Sequence, residues 1–153
     1  MRGAVNFYTT LLCAALLTLA AAVVLPSAAH AGVKAVIDKS EQTMRVWEGD
    51  KLLYIWPAST GKLSAYTPTG TFHPTRFYPG RHTSGKYGGS MIDSVYYKGI
   101  RAIHGVDEPE HLAALGKYGT SNGCTHLSPE HARIFYRLAS KYKHSQVTIV
   151  IQP

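Results

Sequence analysis

The 153-residue chain carries 16 Lys+Arg against 9 Asp+Glu, a formal net charge of +7, and only two cysteines. That length holds one domain with a real core but not two. The basic excess suits anionic partners; with no nucleic-acid-binding motif beside it, nucleic acid is set aside.

Residues 1–31 read as a secretory leader. Arg2 supplies the basic start, an apolar run follows from Leu11 to Leu25, and Ala29-His30-Ala31 has the small-x-small form of a cleavage site. The run, at roughly 15 residues, falls short of the ~20 a membrane span needs. An uncleaved anchor is the alternative. Cleavage after Ala31 leaves residues 32–153 as one domain, exported to the periplasm or cell wall. Cys13 departs with the leader, so Cys124 stands alone and an internal disulfide is excluded. Outside the cytoplasm, a basic surface meets anionic wall polymers, acidic peptides and lipid head groups.

Short β-branched or aromatic runs at 33–38, 43–47 and 52–56, with Glu48-Gly49-Asp50-Lys51 as a turn, predict a meander of strands. From 57 to 89 the chain is rich in Gly, Pro, Ser and Thr and reads as loops around one short strand at 70–72. Strand patterns resume at 91–97 and 100–103. In "DEPEHLAALG", Pro109 suits a helix's first turn and Gly116 its exit. A second helix starts at the N-cap Ser128 with Pro129 behind it, and Phe135, Leu138, Ala139 and Tyr142 form its apolar stripe. Residues 147–151 make a closing strand. The expected fold is mainly β, with two short helices near Cys124.

The segment "SNGCTHL" around Cys124 admits three readings. As a nucleophile, Cys124 needs a base, for which His104 and His126 are candidates, and oxyanion donors, for which the amides of Gly123 and Cys124 are candidates. As a metal ligand it joins His104, His111 and His126, but the paired spacing of a zinc site is missing. As a small buried apolar residue it sits in an unusually polar setting. His73, His82, His111, His131 and His144 are expected at the surface. So are Arg76, Arg81, Lys86, Lys98 and Arg101, where they can meet an acidic peptide.

The ordered set His104-Gly105 and Ser121-x-Gly123-Cys124 resembles the signature of L,D-transpeptidases, the cysteine enzymes of peptidoglycan. "AVIDKSEQTMRVWEGDKLLYIWPASTGK", with Ser59-Thr60-Gly61, resembles the family's opening hairpin and turn. Thr67-Pro68-Thr69-Gly70-Thr71-Phe72 is similar to its Thr-Pro-x-Gly-x-Phe segment, and "CTHLSPEHARIFYRLA" to its passage from nucleophile strand to last helix. The resemblance implies a β-sandwich-like fold with helices at one side, and neither metal nor other cofactor. It implies peptidoglycan stem peptides as partners, with the tetrapeptide stem as acyl donor, D-alanine as leaving group and a cysteine thioester between. The acceptor is an amine on a neighbouring stem, giving a 3→3 cross-link, or an amine-bearing envelope protein. Water as acceptor makes an L,D-carboxypeptidase, and loss of the reaction makes a wall-binding module.

By the same resemblance Cys124 is the nucleophile, His104 its base, and the Gly105 carbonyl orients the imidazole. Ser121 and Gly123 belong to the nucleophile loop, and Met91 with Tyr96 or Tyr97 to the substrate groove. Two positions depart from the pattern. Asn122 stands where the family commonly has His, and His126 stands where it has Arg or Asn. His126, two residues from Cys124, is a substrate-binding candidate whose charge depends on its protonation. Acylation by carbapenems is a further family expectation.

Overall fold

Along Val33–Asp38 (β1), Val33, Ala35 and Ile37 are buried while Lys34 is exposed, the period-two pattern of a strand with one face on a core. The computed structural model describes residues 32–153; the leader expected over 1–31, with its cleavage after Ala31, lies outside the described residues. β1 pairs antiparallel with Thr43–Glu48 (β2), which pairs in turn with Lys51–Pro57 (β3). Gly70–Phe72 (β4) joins the other side through the closing strand, Val147–Gln152, which runs parallel to β1. In register, Ala35 stands between Val46 and Ile149. Three small or branched residues thus lie abreast on the inner face.

The second sheet holds Arg76–Thr83 (β5), Ser90–Lys98 (β6), Arg101–Gly105 (β7) and Thr125–Leu127 (β8), in that order. The closing strand is therefore β9. Between β7 and β8 lies the short helix Pro109–Ala114 (α1), and after β8 comes Pro129–Ala139 (α2). One core joins Ile37, Val46 and Ile149 of the first sheet, Val95, Ile103 and Leu127 of the second, and Phe135, Leu138 and Ala139 of α2. The expected architecture holds: two sheets about a shared core, with two short helices.

Two sequence expectations need correction. The stretch 57–89 contains a second strand, β5, which composition hides because it is an exposed edge interrupted by Pro79-Gly80. The ladder shifts register there, and Gly80 has φ 69°, so a bulge and a proline sit where an edge tolerates them. Asp93 holds this hairpin in place. Its carboxylate accepts from the Gly80 N–H at 2.7 Å and from Arg133 Nε of α2 at 3.3 Å. Second, α2 ends at Ala139, so Tyr142 of the expected stripe lies beyond it. The start is as expected: Ser128 Oγ accepts from the His131 N–H at 3.2 Å, with Pro129 in the first turn.

The second sheet has two differently used faces. Ile103 and Leu127 point into the core. Their neighbours Ala102, His104 and His126 take the opposite face, where Met91, Tyr96 and Ala102 form a small satellite cluster against Cys124.

Candidate active site

The parallel register of β7 and β8 pairs His104 with His126. Their rings are 4.8 Å apart, edge to face. Cys124 immediately precedes β8 and lines, with both histidines, one cavity of about 160 Å³. The tip of the β5–β6 hairpin, through Ser84 and Tyr87, forms part of its wall.

His104 Nδ1 lies 3.0 Å from the Gly105 carbonyl. A carbonyl only accepts, so Nδ1 carries the proton and Nε2 is left as the basic nitrogen. In the nucleophile loop, Ser121 Oγ donates to the Cys124 carbonyl at 2.6 Å and accepts from the Gly123 N–H at 3.0 Å. The Gly123 amide is therefore committed inside the loop, which leaves the Cys124 amide as the better oxyanion candidate of the pair. Gly123 has φ 108°, and a Cβ there would sit 3.1 Å from Arg101 Nε and 3.2 Å from the Tyr66 carbonyl. Only glycine passes comfortably.

The Ser59-Thr60-Gly61 turn straps this loop from below. Ser59 and His126 exchange two backbone hydrogen bonds, while Ser121 N–H donates to the Thr60 carbonyl and the Ser121 carbonyl accepts from Lys62 N–H. The backbone on both sides of the cysteine is thus tied to an otherwise distant segment.

Met91 reaches the cavity wall. Tyr96 faces a neighbouring hollow, with its hydroxyl 3.7 Å from Met91 Sδ and 3.1 Å from His82 Nε2, and Arg76 lies over its ring at 4.1 Å. Tyr97, the alternative groove residue, belongs to the core, where it packs on Phe72.

Residues 32–150 match the family model of the YkuD L,D-transpeptidase catalytic domain. The chain belongs to that family. An L,D-transpeptidase from Mycobacterium smegmatis is 25% identical over 80% of this chain and 59% of its own, with a TM-score of 0.69. One from Mycobacterium tuberculosis H37Rv is 23% identical over 80% and 58%, TM-score 0.68. L,D-transpeptidase 3 of Mycobacterium tuberculosis, solved with a faropenem-derived adduct, is 21% identical over 80% and 60%, TM-score 0.67. The last two likenesses speak to the fold alone. The chain spans about three-fifths of the length of these solved structures. No curated protein sequence matches it.

In this L,D-transpeptidase domain the site is electrostatically quiet at rest. Burial pushes His104 down to about 4, with the Gly105 carbonyl working the other way. Burial pushes the Cys124 thiol up, against the opposing influence of the Ala102 backbone and Arg101. Both groups are therefore neutral at pH 7, a thiol and an imidazole lining one cavity rather than a preformed ion pair, and the Cys124 Sγ lies 3.9 Å from the Ile100 carbonyl. His126 falls to about 2 through burial and the neighbouring His104 and His111. It is not a cation at any physiological pH, and it lines the cavity as a neutral ring.

Several residues escaped the sequence reading. His111, expected at the surface, is half-buried on the cavity wall, 4.9 Å from the His126 ring and 3.1 Å from Thr120 Oγ1. Its helix offers the missed signal, since Ala114, three residues on, is fully buried on the same side. Glu108, also on the wall, accepts from the Ser90 and Asp107 amides. The other histidines expected at the surface also make contacts. His73 Nδ1 meets the Val147 carbonyl at 2.8 Å, His131 stacks on Trp56, and His144 packs on Phe77. The basic residues are engaged too: Arg81 pairs with Asp107, while Lys86 and Lys98 lie over Tyr87 and Phe72.

Proposed function

We propose that this chain is an exported peptidoglycan L,D-transpeptidase, with residues 1–31 removed as a leader and residues 32–153 working in the periplasm or cell wall. The observation that carries the reading is the disposition of His104. Its Nδ1–H is held by the Gly105 carbonyl, and its free Nε2 belongs to a ring that lines the same small cavity as Cys124.

That arrangement supports acyl transfer through a cysteine thioester. The tetrapeptide stem enters with the carbonyl of its L-centre diamino acid against Cys124. His104 Nε2 takes the thiol proton as sulfur attacks, and the resulting oxyanion is met by the Cys124 amide. Collapse breaks the C–N bond to D-alanine, which leaves as the amine after receiving the proton from His104. The thioester then passes its acyl group to an incoming amine, whose proton returns through His104 to the sulfur. A neutral imidazole with a low pKa is ready to accept a proton at the pH of the envelope. The thiol's raised pKa means that deprotonation accompanies attack instead of preceding it.

Met91 and His126 flank the acyl position, Met91 as an adaptable apolar contact and His126 as a neutral hydrogen-bonding ring. The faropenem-derived adduct in the Mycobacterium tuberculosis relative supports acylation by a β-lactam here as well. Incubation with disaccharide-tetrapeptide, read by mass, is expected to give dimers that have lost D-alanine. D-alanine release without dimers would assign water as the acceptor and make the protein an L,D-carboxypeptidase. A folded protein that turns over neither way, yet sediments with sacculi, would be a wall-binding module. Attachment of an envelope protein is read with an amine-bearing protein as acceptor.

A further inference from the structure

The nucleophile loop is held by a buried side chain that borders a different groove and that the reaction scheme does not use. Thr67 is 1% exposed and hydrogen-bonds to the loop. It lines a separate groove with Gly61, Lys62, Tyr66 and Tyr118, and is absent from the walls of the cysteine cavity. Its Oγ1 accepts from the Gly61 N–H at 2.8 Å, which fixes the direction of its own proton. That proton is directed to the Gly123 carbonyl at 3.2 Å, with the Cys124 carbonyl more distant at 3.4 Å. The fit around the hydroxyl is tight. A Cβ on Gly61 would meet the Thr67 backbone N at 2.9 Å and Oγ1 at 3.0 Å, and the Tyr66 carbonyl lies close over Gly123.

The Gly123 carbonyl and the Cys124 N–H belong to one peptide unit. The described chain has no cis peptide bond, so in that planar unit the two groups point in opposite directions. Thr67 borders the groove and not the cavity, so fixing the carbonyl toward it turns the amide away from the groove. Ser121 has already committed the Gly123 amide, so the Cys124 amide is the donor whose direction matters most. We propose that Thr67 is a positioning residue that aims the Cys124 N–H at the oxyanion by holding the Gly123 carbonyl from behind. The proposal rests on the reading of Cys124 as the acylated nucleophile.

A pair of reactions on the same sulfur tests it in the full-length protein. Imipenem acylates through an oxyanion: the C–S bond forms, the β-lactam C–N bond breaks, and the thiol proton goes to the ring nitrogen. Iodoacetamide alkylates by displacing iodide at a saturated carbon, with no oxyanion. Thr67→Val keeps the shape and removes the hydroxyl. It is expected to slow acylation by imipenem, and turnover of the tetrapeptide, by about 10- to 100-fold, somewhat less than outright deletion of an oxyanion donor. Alkylation by iodoacetamide should change less than about twofold, and Thr67→Ser should restore acylation. If the valine variant does not fold, Thr67→Ala is read the same way.

Acylation by Thr67→Val at the wild-type rate overturns the proposal. So does an equal fall in both rates, which would make the hydroxyl a general support of the loop. Wild-type protein inert to both imipenem and tetrapeptide would instead overturn the assignment of the nucleophile, and the proposal with it.

Discussion

The two faces of the β6–β7–β8 sheet are built from alternating residues of the same strands, yet they obey different rules. On one, Val95, Ile103 and Leu127 join Phe135 and Ala139 of α2 in one apolar core, with the Asp93–Arg133 ion pair at its edge. On the other, His104 and His126 are buried side by side on the cavity that Cys124 also lines, and His126 Nδ1 has no hydrogen-bonding partner among the described residues. Burying polar groups in this way costs stability, about 1–3 kcal/mol for each one left unpaired. The first face holds the molecule together. The second lines the small cavity to which the proposed reaction assigns proton transfer and oxyanion stabilisation.

Substitutions on the two faces should therefore separate stability from turnover. The largest effect is expected at His104→Gln, which keeps a polar side chain but removes the base. Turnover of tetrapeptide should fall by about 10²- to 10⁴-fold, with the thermal midpoint little changed. Phe135→Ala should do the reverse. Phe135 is fully buried, and its truncation is expected to cost about 3–5 kcal/mol by urea unfolding, while the folded fraction retains its kcat. A His104→Gln variant with ordinary turnover, or a Phe135→Ala variant of ordinary stability, would erase the division between faces.

Acid sharpens the same contrast. His104 and His126 sit well below the ordinary imidazole value of 6.5, at about 4 and about 2. An unfolded chain takes up protons on both as pH drops below about 6.5, and the folded chain does not. Their burial therefore leaves stability untouched above that pH and removes it as pH falls toward the folded values. His82 and His131, less deeply buried, are shifted in the same direction. Asp38 is held down to about 2 by Gln152, Ser40 and Glu41, so its own loss comes only below its ordinary 3.8. Between pH 7 and 5 the unfolding free energy is expected to drop by on the order of 2 kcal/mol or more. His126→Asn, which cannot titrate, should shrink that drop appreciably. An unchanged drop would place the acid sensitivity elsewhere. Activity per folded molecule should persist through pH 5 and fail only near pH 4, where His104 becomes protonated.

Where the sequence could be read in advance follows from what kind of signal each feature leaves. The period-two strands and the Ser128-Pro129 start of α2 are local patterns, and they appear where expected. His104, Gly105, Ser121 and Cys124 stood out because chemistry-bearing residues recur in a fixed order. β5 was missed because an edge strand with exposed residues on both faces has no alternation to show, and Pro79-Gly80 reads as a break. Thr67 and His111 were missed for another reason. Each meets a partner far along the chain or across the cavity, Gly123 and His126 respectively, and no local pattern announces a contact made only on folding. The protonation of His126 is likewise invisible in sequence, because it is set by the burial and neighbours that folding supplies.

The smallest effect belongs to Ser128, which joins the two faces. It follows β8 directly, and its hydroxyl caps α2, the helix that covers the core side. Removing the hydroxyl leaves the His131 N–H at the helix start without its acceptor, and Ser128→Ala is expected to cost about 1 kcal/mol. For a domain of this size that corresponds to a fall of roughly 4 °C in the thermal midpoint. The substitution lies only four residues after Cys124, so proximity in sequence alone would predict damage to turnover. The strand between them argues otherwise: β8 is pinned by its parallel pairing with β7 and by the two backbone bonds from Ser59 to His126. A fraying cap should not reach the cysteine through that anchored strand. Kinetics on Ser128→Ala below its midpoint should match the wild type, and a parallel loss of kcat would mean that the helix start, and not the strand, sets the position of the nucleophile loop.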